Sequence, residues 1–270
     1  MPDSFGPPQY SLGLTYDKHV DPDHRVHLMT TDLYYISWYI RSGHAEIKCN
    51  GQTFQAGAGQ WVFIDPFTRR SHRLWGDPVL VSIRFRLSWR GLDYLPPQLG
   101  IRVVDGGNLG QLLAAAEALC EADQGELPPT SAAYFRRQSL FFRYLEQWRR
   151  QRETFGVAEH FPRDQRVFAI IEHLASHLSI QPIDYAGLQR AVGLSRAQIN
   201  RIFQRETGMS PRQWMVARCL DEAQQRIRQG SQSLKEIAAL LGFFDASHFT
   251  RWHRRQTGRS PTDWREMQDV

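Results

Sequence analysis

Between Val79 and Leu87 the chain alternates. Val79, Val81, Ile83, Phe85 and Leu87 fall on one side, Ser82, Arg84 and Arg86 on the other. A period of two is that of a β-strand, whose successive side chains point to opposite faces. The stretches YYISWYI and AEIKC, rich in β-branched and aromatic residues, extend this reading over about Tyr34 to Trp89, and Asn50-Gly51 between apolar runs predicts a two-residue hairpin turn. FQAGAGQWVFIDP reads as a further hairpin, its glycines punctuating the turn. Short strands at this spacing predict a small sandwich or barrel. Which face of the Val79–Leu87 strand points inward stays open. Inward arginines need an anionic or hydroxyl-rich partner; outward ones are simply solvated.

After Gly106-Gly107-Asn108 the period lengthens to that of a helix. LGQLLAAAEALCEA and SAAYFRRQSLFFRYLEQWRRQRE are two helices divided by GELPPTS, whose Ser131 is placed to cap the second. Tyr134, Leu140, Phe141, Tyr144, Leu145 and Trp148 make its apolar stripe; Arg136, Arg137, Arg143, Arg149, Arg150 and Arg152 form the opposite face. That helix either packs on the strands with a solvated basic back or serves in dimerisation. FGVAEHFPRD reads as a linker. From Asp164 onward the chain is helix punctuated by caps: Asp164, Asp184, Ser195, Ser210-Pro211, Ser233, Asp245 and Ser260-Pro261 open helices, and Gly208, Gly230 and Gly258 close them. Polar cap, proline at the first position and glycine past the end is the expected asymmetry of helix termini. The fold class predicted is two-domain α+β, with domains at 1–155 and 163–270.

Within the helical portion the chain writes one unit twice. Ser195–Trp214 aligns with Asp245–Trp264 at a constant offset of fifty, with seven identities: Arg201/Arg251, Arg205/Arg255, Thr207/Thr257, Gly208/Gly258, Ser210/Ser260, Pro211/Pro261 and Trp214/Trp264. LQRAVGLS and IAALLGFFD extend the likeness backward, so each copy is a short helix, a glycine-containing turn and a capped helix, the helix-turn-helix pattern. In the second helix of each unit, Ile199, Ile202 and Phe203, and likewise Phe249, Trp252 and His253, have the i, i+3, i+4 spacing of an inward face. The opposite stripes hold Ala197, Asn200, Arg201 and Gln204, then Ser247, Thr250, Arg251 and Arg254. Such side chains suit a major groove, where arginine pairs with guanine and asparagine with adenine.

Charge supports that reading by its location. The first 161 residues carry 17 basic and 17 acidic side chains; residues 162–270 carry 16 and 11, so the net +5 lies in the repeat-bearing portion. A one-sided basic surplus predicts a polyanion partner there. Three dispersed cysteines without metal spacing predict a reducing compartment and no disulfide framework. The opening MPDSFGPPQY lacks signal-peptide features, and no apolar run approaches the ~20 residues of a membrane span. A cytoplasmic protein without membrane attachment is expected.

GLSRAQINRIFQRETGMSP and IAALLGFFDASHFTRWHRRQTGRSP resemble the AraC/XylS family of bacterial transcription regulators, over about Arg163 to Met267. The resemblance implies two helix-turn-helix units joined by a long helix near Pro211–Gln229, inserting recognition helices into successive major-groove segments ~34 Å apart. It carries recognition roles onto Ala197, Gln198, Asn200 and Arg201, then Ser247, His248, Thr250 and Arg251. Arg196, Arg205, Arg254 and Arg255 are expected to hold phosphates, which positions without specifying. Three departures stand out. Ala197 is small for base readout; His253 replaces an inward Phe, either as a hydrogen-bonded core histidine or a pH switch; and Phe244 is apolar for a turn, which suggests packing against the neighbouring domain.

The N-terminal portion resembles the family's cupin-like effector domain more loosely, through YIRSGHAEIKCNGQTFQAGAGQWVFIDP. Metal-binding cupins carry a His-x-His there and a later His; here His44 stands alone and Arg70 falls at the later place, so no metal or other cofactor is expected. The candidate effector residues are Trp38, Arg41, Glu46, Trp61, Arg70, His72 and Arg84, aromatics and charges able to hold a sugar or a carboxylate. The whole reads as a non-enzymatic regulator, an activator in expectation. Its expected partners are promoter DNA, a small effector such as a sugar or related metabolite, a second copy of the chain in a homodimer, and RNA polymerase. The alternatives are a cupin-type metalloenzyme with an appended DNA-binding domain and an effector-independent DNA-binding dimer.

Overall fold

Asn50 and Gly51 both adopt positive φ, 49° and 78°, and reverse the chain between strands β3 (Tyr35–Cys49) and β4 (Gln52–Gly57) as the hairpin signal predicts. The computed structural model describes residues 9–22, 25–30, 34–66, 68–89, 92–93, 100–122, 128, 130–155 and 164–266. They fall into two compact units, one built on Tyr10–Arg86 with Pro97–Glu159, the other chiefly on His160–Val270. The expected linker lies mostly outside the described residues.

The first unit is an eight-stranded sheet with two helices. Besides β3 and β4 its strands are β1 (Gln9–His19), β2 (Val26–Thr30), β5 (Gln60–Ile64), β6 (Arg70–Trp89), β7 (Leu92–Asp93) and β8 (Ile101–Asp105). The main path runs β1-β6-β3-β5-β8, with β2 and β7 on β6 and β4 on β3. This path is open among the described residues, so the strands form an open sheet rather than the closed barrel expected. FQAGAGQWVFIDP is also not a hairpin. β4 pairs with His44–Cys49 and β5 with Ile36–Tyr39, both antiparallel to β3. The two are one returning path along the same neighbour, interrupted at Ala58-Gly59, where the Gly59 amide donates to the Ile40 carbonyl at 2.8 Å. The glycines mark an irregularity, not a reversal.

Both faces of this sheet are covered. One carries a core of Ile36, Trp38, Ile40, Ala45, Ile47, Val62, Ile64, Leu74 and Leu80. The other holds Tyr35 and Phe85 against α2 (Ala132–Thr154), with Phe85 in edge contact with Phe141, Tyr144 and Trp148. α1 (Gly110–Ala122) buries Leu112, Ala115, Ala116 and Leu119. Ser131 caps α2 as predicted, accepting from the Tyr134 amide. Arg152, placed by periodicity on the solvated back, is instead 1% exposed. It lies one helical turn beyond Trp148, pairs with buried Asp65 at 2.5 Å, and packs its guanidinium over the Tyr35 and Trp148 rings. Counting the apolar stripe as ending at Trp148 missed it.

The second unit is α3 (Arg166–Ser176), α4 (Tyr185–Val192), α5 (Arg196–Thr207), α6 (Pro211–Gln229), α7 (Leu234–Leu240), α8 (Ala246–Thr257) and α9 (Pro261–Glu266). Asp184, Ser195, Ser210, Ser233 and Asp245 each accept a backbone amide three residues on. Asp164 takes the Arg166 amide and guanidinium from two residues before the helix start, and the Arg166 side chain holds its carboxyl down at about 2. α3 ends at Ser176, with His177 as its C-cap. Its core joins Val167, Phe168, Ile171 and Leu174 to Ile199, Ile202, Phe203, Trp214 and Met215.

Candidate nucleic-acid interface and effector face

α5 and α8 begin with a cap that fixes the first turn, then divide their residues as their periodicity requires. Ile199, Ile202 and Phe203 are at most 6% exposed, and Phe249, Trp252 and His253 at most 4%. Ala197, Gln198, Arg201, Arg205, Ser247, His248, Arg251, Arg254 and Arg255 are exposed, with Arg196; Asn200 and Thr250 are half-buried. The two helices thus each present the expected outer stripe. Among the described residues neither Arg201 nor Arg251 makes a hydrogen bond or ion pair, which leaves both guanidinium forks available for bidentate contacts.

Several neighbours are less available than the spacing suggested. The Tyr185 hydroxyl donates to Asn200 Oδ1 at 2.9 Å, and the Arg196 guanidinium lies 4.3 Å from the centre of the Tyr185 ring. An asparagine pairing with adenine uses both its oxygen and its amide; here the oxygen is already an acceptor, leaving the amide. Gln198 closes a capping box by accepting from the Ser195 amide at 2.9 Å. Arg205 holds Glu206 at 2.7 Å and Asp164 at 3.4 Å, so a phosphate has to share it. Tyr185 escaped the sequence reading; its only signal was an aromatic next to a cap residue, at the first position of a short helix.

His253 is a core residue. Its Nδ1 faces the Arg259 carbonyl at 3.0 Å and the Thr257 hydroxyl at 3.3 Å, and burial pushes its pKa down to about 4. Phe244 is 90% exposed.

The seven candidate effector residues do not converge. Strand register places Trp38 opposite Ser82, Ile36 opposite Arg84, Ile47 opposite His72 and Cys49 opposite Arg70. Trp38, Arg70, His72 and Arg84 therefore share one face with Ser82 and Arg86. This answers the question of inside and outside: the arginine face of β6 points into the sheet's own apolar core, and Val81, Ile83 and Phe85 point toward the helical side. Arg70 is 1% exposed, Ser82 0% and Arg86 7%. The Trp38 and His72 rings meet edge-on at 5.1 Å. Trp38 Nε1 and Ser82 Oγ have no hydrogen-bond partner among the described residues.

Three candidates fall elsewhere. Trp61 pairs with Tyr39 and lies parallel to Phe63 at 5.7 Å, on the opposite face. Arg41 is exposed and bridges Asp17 and Glu117; the Asp17 carboxylate, more than Glu117, holds its guanidinium firmly protonated. Glu46 pairs with Lys48 at 3.1 Å on the outer surface. One-residue steps along a strand reverse the face, and the strand-internal irregularities near Ser42 shift that count. Among the described residues no group of three His, Cys, Asp or Glu could hold a metal, and no helix is long and apolar enough to cross a membrane.

Residues 188–267 match a family model described as a helix-turn-helix domain. The chain is 34% identical over 90 residues to the HTH-type transcriptional regulator GbdR of Pseudomonas aeruginosa, covering 33% of this chain and 24% of that protein. It is 28% identical over 164 residues to the HTH-type transcriptional activator RhaS of Pectobacterium carotovorum, 61% of this chain and 57% of that one. These matches span less than two thirds of either relative. The crystal structure of ToxT from Vibrio cholerae O395 aligns over 96% of this chain and 97% of its own, with a TM-score of 0.61 and 12% identity, a likeness of fold. Over its duplicated helix-turn-helix portion, the chain is similar to the AraC/XylS family of transcription regulators.

Proposed function

We propose that this protein is a transcription regulator that binds promoter DNA through α5 and α8 and answers to a small molecule held by its sheet unit. One observation carries the first part: the same capped helix occurs twice, each copy exposing an arginine, Arg201 or Arg251, that is unpaired among the described residues, at the same place on its outer stripe. Ala197, Gln198, Asn200, Ser247, His248 and Thr250 flank these arginines as readers, and Arg196, Arg205, Arg254 and Arg255 approach phosphates. Binding-site selection from a random duplex library tests this. A two-box site about one helical turn apart is expected; retention without a sequence preference counts against it.

The effector reading rests on the buried Trp38–Ser82 face, where an indole N–H and a hydroxyl lie beside the basic side chains Arg70, His72 and Arg84. That chemistry suits a ligand with hydroxyls or an anionic end, such as a sugar, a sugar acid or a fatty acid. ToxT has been solved with an unsaturated fatty acid bound, which lends support to an effector role for a fold of this kind. Thermal unfolding against a panel of these three classes is the test. A ligand at a hundred times its Kd stabilises by about 2.7 kcal/mol, and a flat response across the panel removes the sensor role. Homodimerisation through α2 belongs to the same proposal. It is supported by Phe135 and Phe142, 62% and 48% exposed one above the other on that helix. So do cytoplasmic location and activation by contact with RNA polymerase.

A further inference from the structure

The two helix-turn-helix copies are joined by more than α6. The segment between α3 and α4 crosses to the second copy: the Ile180 amide donates to the Leu241 carbonyl at 2.9 Å, Ser179 Oγ to the same oxygen at 3.4 Å, and Gln181 Nε2 to the Gly242 carbonyl at 2.6 Å. These acceptors lie at the end of α7 and in the turn leading to α8, where a helix leaves its last carbonyls without internal partners. On its other side the segment is gripped by Arg212, whose Nη1 and Nη2 donate to the carbonyls of Gln181 and Ile180 at 2.8 and 2.6 Å. Arg212 is the second residue of α6, directly after the first copy. A cation in the first turn of a helix is disfavoured by the helix dipole, so helix chemistry alone does not account for an arginine there. Two charge-assisted bonds to backbone carbonyls do. The approach is close: a methyl group on Gly242, whose φ is +78°, would fall 2.2 Å from Ser179 Oγ.

We infer that residues 179–181, clamped between Arg212 and the Leu241–Gly242 turn, form a strap that fixes α8 relative to α5 and so sets the spacing of DNA boxes the protein accepts. A single connecting helix leaves its two ends able to splay by bending; a second tie between those ends closes a ring. Arg212, Gln181 and Ser179 are positioning residues in this account. They contact no base, and their effect appears as discrimination between spacings rather than between sequences.

This inference rests on the proposed two-box DNA binding, and the experiment separates the two. The site obtained by selection is remade with one base pair added or removed between its boxes, which displaces the second box by about 3.4 Å and by about a tenth of a turn. Affinities of the full chain are measured for all three duplexes. The wild type is expected to lose about tenfold or more on either altered duplex, the scale of losing one base-pair readout. In Arg212→Ala that penalty is expected to shrink to about threefold or less, with a smaller shrinkage in Gln181→Ala. Gln181→Ala keeps the fold if Arg212→Ala does not. The dependence of affinity on salt is expected to stay unchanged in both, since neither residue is assigned a phosphate. Equal weakening on all three duplexes overturns the strap, as does a reduced salt slope accompanying an unchanged spacing penalty. A selection that yields no two-box site overturns the strap and the DNA-binding proposal together.

Discussion

The two helix-turn-helix copies share their caps, their closing glycines and their outward arginines, yet their outer surfaces are engaged to different degrees. In the first, Tyr185 takes the Asn200 oxygen, Arg196 lies on the Tyr185 ring, Gln198 is turned back to its own helix start, and Arg205 holds two carboxylates. In the second, Asp245 caps the His248 amide at 2.6 Å, and among the described residues the side chains of Ser247, Arg251, Arg254 and Arg255 make no hydrogen bond. The interiors differ too, with Phe203 in one copy and His253 in the other. Duplication preserved the scaffold and let the surface chemistry diverge.

Acid is the strongest way to separate the copies. His253 is held neutral in the fold at a pKa of about 4 by burial, against about 6.5 in an unfolded chain. Its lowered value means that the stability it contributes is complete above pH 6.5 and is lost as pH falls toward 4, about 3 kcal/mol over the window. Urea unfolding at pH 7 and pH 4.5 should show that loss, and His253→Phe should remove most of it; an unchanged pH dependence in His253→Phe rules out the assignment. Next in size are the recognition arginines. Arg251→Ala and Arg201→Ala are each expected to cost about 1–3 kcal/mol of specific DNA affinity and to relax preference at one base pair. Equal losses from an exposed arginine on α2 would remove the distinction. The caps come third: Ser195→Ala and Asp245→Ala should each lower stability by about 1 kcal/mol, measured by the same unfolding titration. The smallest effect is that of Tyr185→Phe, about 0.5–1 kcal/mol. Its more useful readout is base preference, because freeing the Asn200 oxygen is expected to add discrimination for adenine in the first box. An unaltered preference would mean that Asn200 does not face a base.

What was legible in the sequence was local. A cap side chain reaches an amide three residues away, a closing glycine sits at the helix end, and an inward face repeats every three or four positions, so Ser195, Gly208 and Phe203 declare themselves within one helix. Tyr185 meets Asn200 across fifteen residues, Arg212 meets Gln181 across thirty-one, and Asp65 meets Arg152 across eighty-seven; no period in the chain records such pairs. The sheet unit was read less well for the same reason. Alternation identified β6 but not which side of it was interior, because both sides are covered. The effector candidates were grouped by type before register could sort Trp61, Arg41 and Glu46 onto other surfaces. The turn at Asn50-Gly51 survived because two residues suffice to specify it.

The buried pair of Arg152 and Asp65 has a consequence for how the end of α2 comes loose. Removing one partner of a pair withdrawn from water strands the other charge in the protein interior, at a cost of about 3–5 kcal/mol. Asp65 is also bound on its second oxygen by the Gly100 amide at 3.0 Å, and the guanidinium is covered by two aromatic rings. Helix ends ordinarily fray residue by residue. This one is held against gradual fraying, because loosening its last turn strands a buried charge.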